Sequence, residues 1–153
     1  MTVTEAVTSR RSVRSFLDKP VDLETLTRVM DKARFAPSGC NFQPWEASIV
    51  TGEPLRALQQ KMLAAPPQDP PEYDWSAPNA SSAHKARYLD VSERMYDALG
   101  ISRADKEARR AFVSANIASF GAPAVLFCYF PRLMGPPQWS DVGMWLQTVM
   151  LLL

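Results

Sequence analysis

Apolar residues recur at helical spacing along most of this chain, in the pattern of helices that cover a core on one side. The clearest case follows Asp22, a favourable N-cap residue, with Leu26 and Val29 on one face. The pattern predicts helices over residues 4–9, 23–36, 53–65, 84–99 and 103–120, and a last helix that begins at residue 139 or 140. Thr4 is the candidate N-cap of the first helix.

Two segments have the composition of β-strands. Residues 46–51 form a short strand-like run, and residues 124–130 are nearly all apolar, which is typical of a strand buried on both faces. Prolines between them, within residues 66–78, exclude a regular element there. Because this tract carries Tyr73 and Trp75, we interpret it as an excursion inside a single domain, not as a linker.

The length, the net charge and the cysteine and histidine content exclude several classes of protein. The chain has 153 residues, about one domain, and a formal net charge of +1, which favours neither nucleic acid nor a membrane surface. Cys40, Cys128 and the one histidine, His84, lack the spacing of a zinc site. Because there is no signal-peptide pattern and no apolar run long enough to span a bilayer, we expect a cytoplasmic protein.

The sequence PSGCNFQPW separates a predicted helix from a predicted strand. Pro37 and Pro44 prevent either element from running through it. A serine, an asparagine and a glutamine between them offer hydrogen-bonding groups on a loop with anchored ends, where binding groups are often placed. Taken alone, the same residues are also the ordinary composition of a turn.

Two further segments indicate what this loop could bind. Arg10, Arg11 and Arg14, with Ser12 among them, provide positive charges and a hydroxyl suited to a phosphate, although such a cluster alone is more often a solvated basic edge. Gly143 is predicted at the start of the last helix, where a flat ligand could approach the backbone and meet the helix dipole. Together the three segments fit flavin mononucleotide (FMN).

The order and spacing of these segments resemble the FMN-dependent nitroreductase family. The matching stretches are RRSVRSF at residues 10–16, PSGCNFQPW at 37–45 and DVGMWLQ at 141–147. The excursion over residues 66–100 is most similar to the branch that reduces nitrobenzoates and related nitroaromatics. The resemblance implies an α+β (α/β three-layer) fold, with a central, mostly antiparallel sheet flanked by helices and built as an intertwined homodimer.

The resemblance also implies which residues hold FMN. Arg10, Ser12 and Arg14 would hold the phosphate and ribityl chain, with Arg14 reaching toward the pyrimidine side of the ring. Residues of the proline-rich loop would complete the site of the partner subunit. The full set of implied FMN-binding residues is Arg10, Arg11, Ser12, Arg14, Pro37, Ser38, Gly39, Asn41, Gln43, Asn116 and Gln147. Tyr73 and Trp75 are candidates for lining the acceptor pocket, or equally for pinning down their loop.

The implied reaction is a ping-pong hydride transfer from NAD(P)H through the flavin to a nitroaromatic or quinone-like acceptor. It requires no protein nucleophile, in agreement with the lack of a Ser-His-Asp arrangement. Three alternatives stay open: a truncated, flavin-free remnant that acts only as a structural or binding protein, a flavin-destroying enzyme that makes a cobalamin ligand, and a phosphate- or nucleic-acid-binding module. The apolar last residues predict that the single domain of residues 1–153 lacks its C-terminal part.

Overall fold

A computed structural model of the chain describes residues 1–66, 70, 72 and 80–153. Six α-helices and two β-strands lie in this described part. The helices are α1 (Val3–Ser9), α2 (Leu23–Ala33), α3 (Gly52–Ala64), α4 (Ser82–Ala98), α5 (Lys106–Ile117) and α6 (Pro136–Leu152). The strands are β1 (Glu46–Thr51) and β2 (Ala124–Tyr129). The chain divides into two compact units, one made of Met1–Gln59 with Ser119–Leu153, and the other of Gln60–Ala118.

A hydrophobic cluster holds the first unit together. Its buried members come from α2, the turn that follows α2, and α6: Val29, Ala33, Ala36, Trp145 and Val149. Side chains from the loop, from β2 and from the same two helices pack against it: Met30, Trp45, Leu126, Cys128 and Leu146. The predicted apolar face of α2 is confirmed, because its buried positions follow the helical spacing read from the sequence.

The two strands pair antiparallel, with Glu46 opposite Tyr129 and Thr51 opposite Ala124. The prediction that β2 is buried on both faces is wrong, since its residues are half-buried and Tyr129 is exposed. Within the described residues β2 pairs with β1 alone. Burial on both faces requires elements packed on each side of the sheet, which the apolar content of a strand does not by itself supply.

The second unit contains the paired helices α4 and α5, which the sequence predicted on either side of Gly100. Gly100 has a φ of 67°, the left-handed region that suits glycine after a helix. Tyr96 meets Phe112 edge to face with 5.9 Å between ring centroids. The Arg109 guanidinium lies 3.9 Å from the Tyr96 ring centroid, a cation–π contact that joins the two helices.

The first helix begins earlier than predicted. Thr2, not Thr4, is the N-cap of α1: its hydroxyl accepts from the Glu5 N–H at 3.2 Å, and the Glu5 carboxylate accepts from the Thr2 N–H at 2.6 Å. This reciprocal pair needs a Glu or Gln three positions after the cap, and Glu5 stands in that relation to Thr2. The other predicted helices agree with the structure to within about one turn at each end.

The last helix also begins earlier than predicted, at Pro136. The Gly135 N–H donates to Gln138 Oε1 at 3.1 Å. Pro136 takes the first helical position, where the helix does not need a backbone N–H. Gly143 therefore lies about two turns inside α6. The predicted placement of Gly143 at a helix start, facing the dipole, is wrong.

Asp22 caps α2 as predicted. Its carboxylate accepts from the Thr25 N–H at 2.6 Å and from the Thr25 hydroxyl at 2.9 Å. These hydrogen bonds, first the one from the backbone, lower the pKa of Asp22 below its ordinary value. A lowered folded-state pKa contributes stability above the unfolded-state pKa, and this contribution is lost as the pH falls through the folded-state value.

We expect Asp22→Asn, which keeps a capping oxygen but cannot titrate, to be less stable than the wild type near neutral pH. The difference should shrink in acid, because the wild-type carboxylate then loses its charge. Urea unfolding followed by circular dichroism from about pH 6 to about pH 3 measures this difference. Asp31→Asn, at an exposed position on the same helix, is the matched control. An equal pH dependence in both variants would contradict the capping explanation.

Candidate cofactor-binding site

The loop between α2 and β1 is held in a strained conformation. Cys40, Asn41 and Gln43 have φ angles of 50°, 56° and 44°, in the left-handed region that costs energy for residues other than glycine. The Gln43 N–H donates to Ser38 Oγ at 2.9 Å, and Gln43 Nε2 donates to Asn41 Oδ1 at 2.9 Å. The loop therefore presents two linked amide side chains, both exposed, from a backbone that its own contacts define.

Both ends of this loop contact α6. The Gly39 N–H donates to Asp141 Oδ1 at 3.0 Å, and Trp45 stacks on Trp145 with ring centroids 6.0 Å apart and planes inclined by 10°. Two of the three sequence motifs thus meet in the fold, although they are far apart in the chain. Sequence reasoning did not include Asp141 among the site residues. The signal that could have identified it is its position as the one charged residue of an otherwise uncharged helix.

The arginine cluster lies between α1 and α2 on an irregular, exposed segment. Arg11 Nη1 donates to the carbonyl oxygens of Thr8 at 2.9 Å and Arg10 at 3.0 Å, and Arg14 Nη1 donates to the Ser12 carbonyl at 3.3 Å. In the part of the chain that the structure describes, ion pairs join other arginines to carboxylates, but none involves this cluster. Its positive charge is therefore not neutralised from within the described chain.

Gln147 and Gly143 are both exposed on α6. Their spacing of four residues places them on one side of the helix. A Cβ built on Gly143 would meet nothing within 4 Å, so this side of the helix leaves room for a ligand to lie close to the backbone.

Asn116 makes its side-chain hydrogen bonds within its own helix. Its Nδ2 donates to the Val113 carbonyl at 3.1 Å and to the Phe112 carbonyl at 3.5 Å, within its own helix α5. Tyr73 and Trp75, the candidates for the acceptor pocket, lie outside the described residues.

The two cysteines are free thiols in different surroundings. Cys40 is exposed on the loop, whereas Cys128 is half-buried in β2 against the core. Burial raises the pKa of the Cys128 thiol, so it stays protonated and acts as a small apolar residue. No helix among the described residues is long and apolar enough to cross a membrane.

The sequence profile of the nitroreductase family matches residues 7–153. The chain belongs to the nitroreductase family. It is 32% identical to a nitrobenzene nitroreductase of Ectopseudomonas oleovorans, over 97% of this chain and 67% of the relative. It is 33% identical to a 4-nitrobenzoate reductase of Pseudomonas putida, over 95% of this chain and 64% of the relative.

A solved structure of the family confirms the predicted α+β nitroreductase fold. The FMN and NADPH-dependent nitroreductase NfnB from Sphigopyxis sp. strain HMH has a TM-score of 0.93 at 44% identity, over 100% of this chain and 70% of that chain. This nitroreductase-family chain thus spans about two thirds of the length of its curated relatives.

Proposed function

We propose that this chain is the FMN-binding part of an oxidoreductase that uses NAD(P)H to reduce nitroaromatic or quinone-like acceptors. The observation that carries the proposal is that one chain has both an arginine cluster with no ion pair among the described residues and a strained, polar loop anchored to α6. Relatives named for nitrobenzene and 4-nitrobenzoate support the nitroaromatic substrate class.

The arginine cluster fits the phosphate end of FMN. A guanidinium is always charged and binds phosphate through short hydrogen bonds with fixed geometry. Arg10 and Arg14 supply the charges, and Ser12, between them, supplies a hydroxyl. Because the cluster makes no ion pair with the described residues, binding a phosphate would not require an existing ion pair to break.

The loop and α6 are suited to the ring end of FMN. Asn41 and Gln43 offer linked amide groups to the polar edge of a flavin. The Ser38 hydroxyl and carbonyl hold the backbone of these two residues, at Gln43 N–H and Asn41 N–H. Gly143 and Gln147 leave an open strip of helix along which a flat ring could lie. Each of these groups binds or orients the cofactor, and none of them has to act as a nucleophile.

When bound, FMN supplies the hydride chemistry that links NAD(P)H to the acceptor. The chain's own task is to hold the cofactor and leave one flat face open to two successive substrates. The Arg14 guanidinium, if it reaches the pyrimidine side, favours negative charge on that side of the ring. An open stacking surface of this kind accepts many flat acceptors.

We propose a homodimer in which the loop of one subunit completes the site of the other. In support, no hydrogen bond among the described residues joins the arginine cluster to the loop of the same chain. We also propose one nitroreductase-like domain with an excursion over residues 66–100. We place the protein in the cytoplasm, which supplies NAD(P)H and keeps thiols such as Cys40 reduced.

The visible absorption spectrum of the purified protein tests this proposal. We expect flavin bands, either as isolated or after addition of FMN, that NADPH bleaches without oxygen and 4-nitrobenzoate restores. Riboflavin, which lacks the phosphate, is the matched ligand control and should bind at least about 10-fold more weakly. A colourless protein that takes up no FMN would reject the proposal and favour a flavin-free binding protein.

A further inference from the structure

We propose that Asp141 is the positioning residue of the cofactor-binding loop. This inference rests on the proposed function for its link to FMN, but the contacts that carry it lie within the chain itself. Asp141 acts through Gly39: it accepts the Gly39 N–H, and Gly39 begins the turn that carries Asn41.

Two successive sets of hydrogen bonds connect Asp141 to Asn41. Asp141 Oδ1 holds the Gly39 N–H at 3.0 Å. The Gly39 carbonyl then accepts the Phe42 N–H at 3.0 Å, and the Ser38 carbonyl accepts the Asn41 N–H at 3.1 Å, which closes a 3₁₀ turn. Fixing Gly39 therefore fixes the direction in which the turn presents Asn41.

The surroundings of Asp141 indicate that stability alone does not explain this residue. Its side chain is only 4% exposed, and its Oδ2 is buried without a hydrogen-bond partner among the described residues. A buried carboxylate with one hydrogen bond costs stability relative to a well-packed apolar residue. Asp141 also lies beyond the first turn of α6, where the helix dipole gives little help to a negative charge.

Because the loop is strained, the hydrogen bond that Asp141 accepts from it can position the loop. Cys40, Asn41 and Gln43 hold left-handed angles, and such strain persists only where the surrounding contacts over-determine the backbone. The contacts from Gln43 to Ser38 and Asn41 are internal to the loop. The hydrogen bond to Asp141 ties the strained turn to a rigid helix, so it can set the turn's position as well as its shape.

Two readouts on three variants test the proposal. We expect Asp141→Ala to weaken FMN binding at least about 10-fold, and Asp141→Asn, which keeps an acceptor of the same size, to stay within about 3-fold of the wild type. Amide hydrogen exchange of Gly39, measured by NMR on the protein without FMN, should be at least about 10-fold faster in Asp141→Ala. In Asp141→Asn it should be intermediate, because a neutral acceptor holds the N–H less strongly.

Gln138→Ala is the matched control, because it also removes a side-chain acceptor of a backbone N–H on α6. It should leave both the FMN affinity and the Gly39 exchange rate unchanged. The proposal is overturned if Asp141→Ala keeps the wild-type exchange rate at Gly39 or the wild-type FMN affinity. It is also overturned if Asp141→Asn weakens FMN binding by more than about 3-fold, or if Gln138→Ala changes the affinity and the exchange rate as Asp141→Ala does.

If Asp141→Ala does not fold, Asp141→Asn decides alone, and wild-type exchange at Gly39 in that variant overturns the proposal. Failure of the proposed function gives a different result: the wild type itself would not bind FMN. The exchange rate of the Gly39 amide would still report whether Asp141 holds the turn.

Discussion

Trp145→Ala is expected to lower the free energy of unfolding by about 3–5 kcal/mol, the range for removing a large aromatic residue from a core. Trp145 is 3% exposed and belongs to the buried cluster shared by α2 and α6. Its ring also stacks on Trp45 at the end of the loop between α2 and β1. Removing it creates a cavity, because the surrounding backbone relaxes only partly, and also removes the aromatic pair.

A loss of this size is a large part of the total stability of a domain. The measurement is urea unfolding followed by circular dichroism, in which the midpoint should fall while the slope stays constant. Where Trp145→Ala is too unstable to purify, Trp145→Phe should show a smaller loss in the same direction, since it leaves a smaller cavity.

Trp139→Ala is the matched control, the same substitution on the same helix. Trp139 is 60% exposed and meets Phe130 edge to face, with 6.4 Å between ring centroids. Its removal should cost no more than about 1 kcal/mol. Equal losses from the two substitutions would contradict the assignment of Trp145 to the core.

The double substitution Arg10→Ala with Arg14→Ala is expected to weaken FMN binding by at least about 100-fold. Each charge-assisted hydrogen bond to a phosphate contributes about 1.5–3 kcal/mol, and about 1.4 kcal/mol corresponds to a factor of ten. Both side chains are exposed and make no ion pair among the described residues. The fold should therefore keep its stability while the cofactor is lost, which is the opposite of the result expected for Trp145.

Fluorescence titration with FMN measures the affinity, and urea unfolding checks the fold. Arg28→Ala with Arg34→Ala, at an exposed position of α2 and at the exposed C-cap residue that follows it, removes the same charge elsewhere. It should change the affinity by less than about 3-fold, through screened long-range attraction alone. FMN binding by the Arg10 and Arg14 variant within that same margin would show that the cluster is a solvated edge.

Local signals explain how much of this protein could be predicted from its sequence. Helical spacing identified the buried face of α2, and Asp22 marked where that helix begins, because both depend on residues within one or two turns of each other. The three motifs identified the family, since they occur in a characteristic order along the chain. The family in turn implied the fold, which the similarity to a solved structure confirms.

Burial of β2 could not be predicted in the same way. Its apolar residues indicate that the strand prefers to be covered, but its actual exposure depends on which elements pack against the two faces of the sheet. The prediction that Gly143 lies at the start of a helix was wrong for a related reason. Pro136 can end a loop or begin a helix, and the cap formed by Gln138 decides between the two.

By itself, the sequence determined the family and the approximate positions of the helices, because these depend on motif order and local pattern. Only the tertiary structure decided that Asp141 holds Gly39 and that Trp145 stacks on Trp45. Both contacts join the loop to a helix about 100 residues further along the chain. No local period encodes such a pair, because its formation depends on how α2, the loop and α6 pack together.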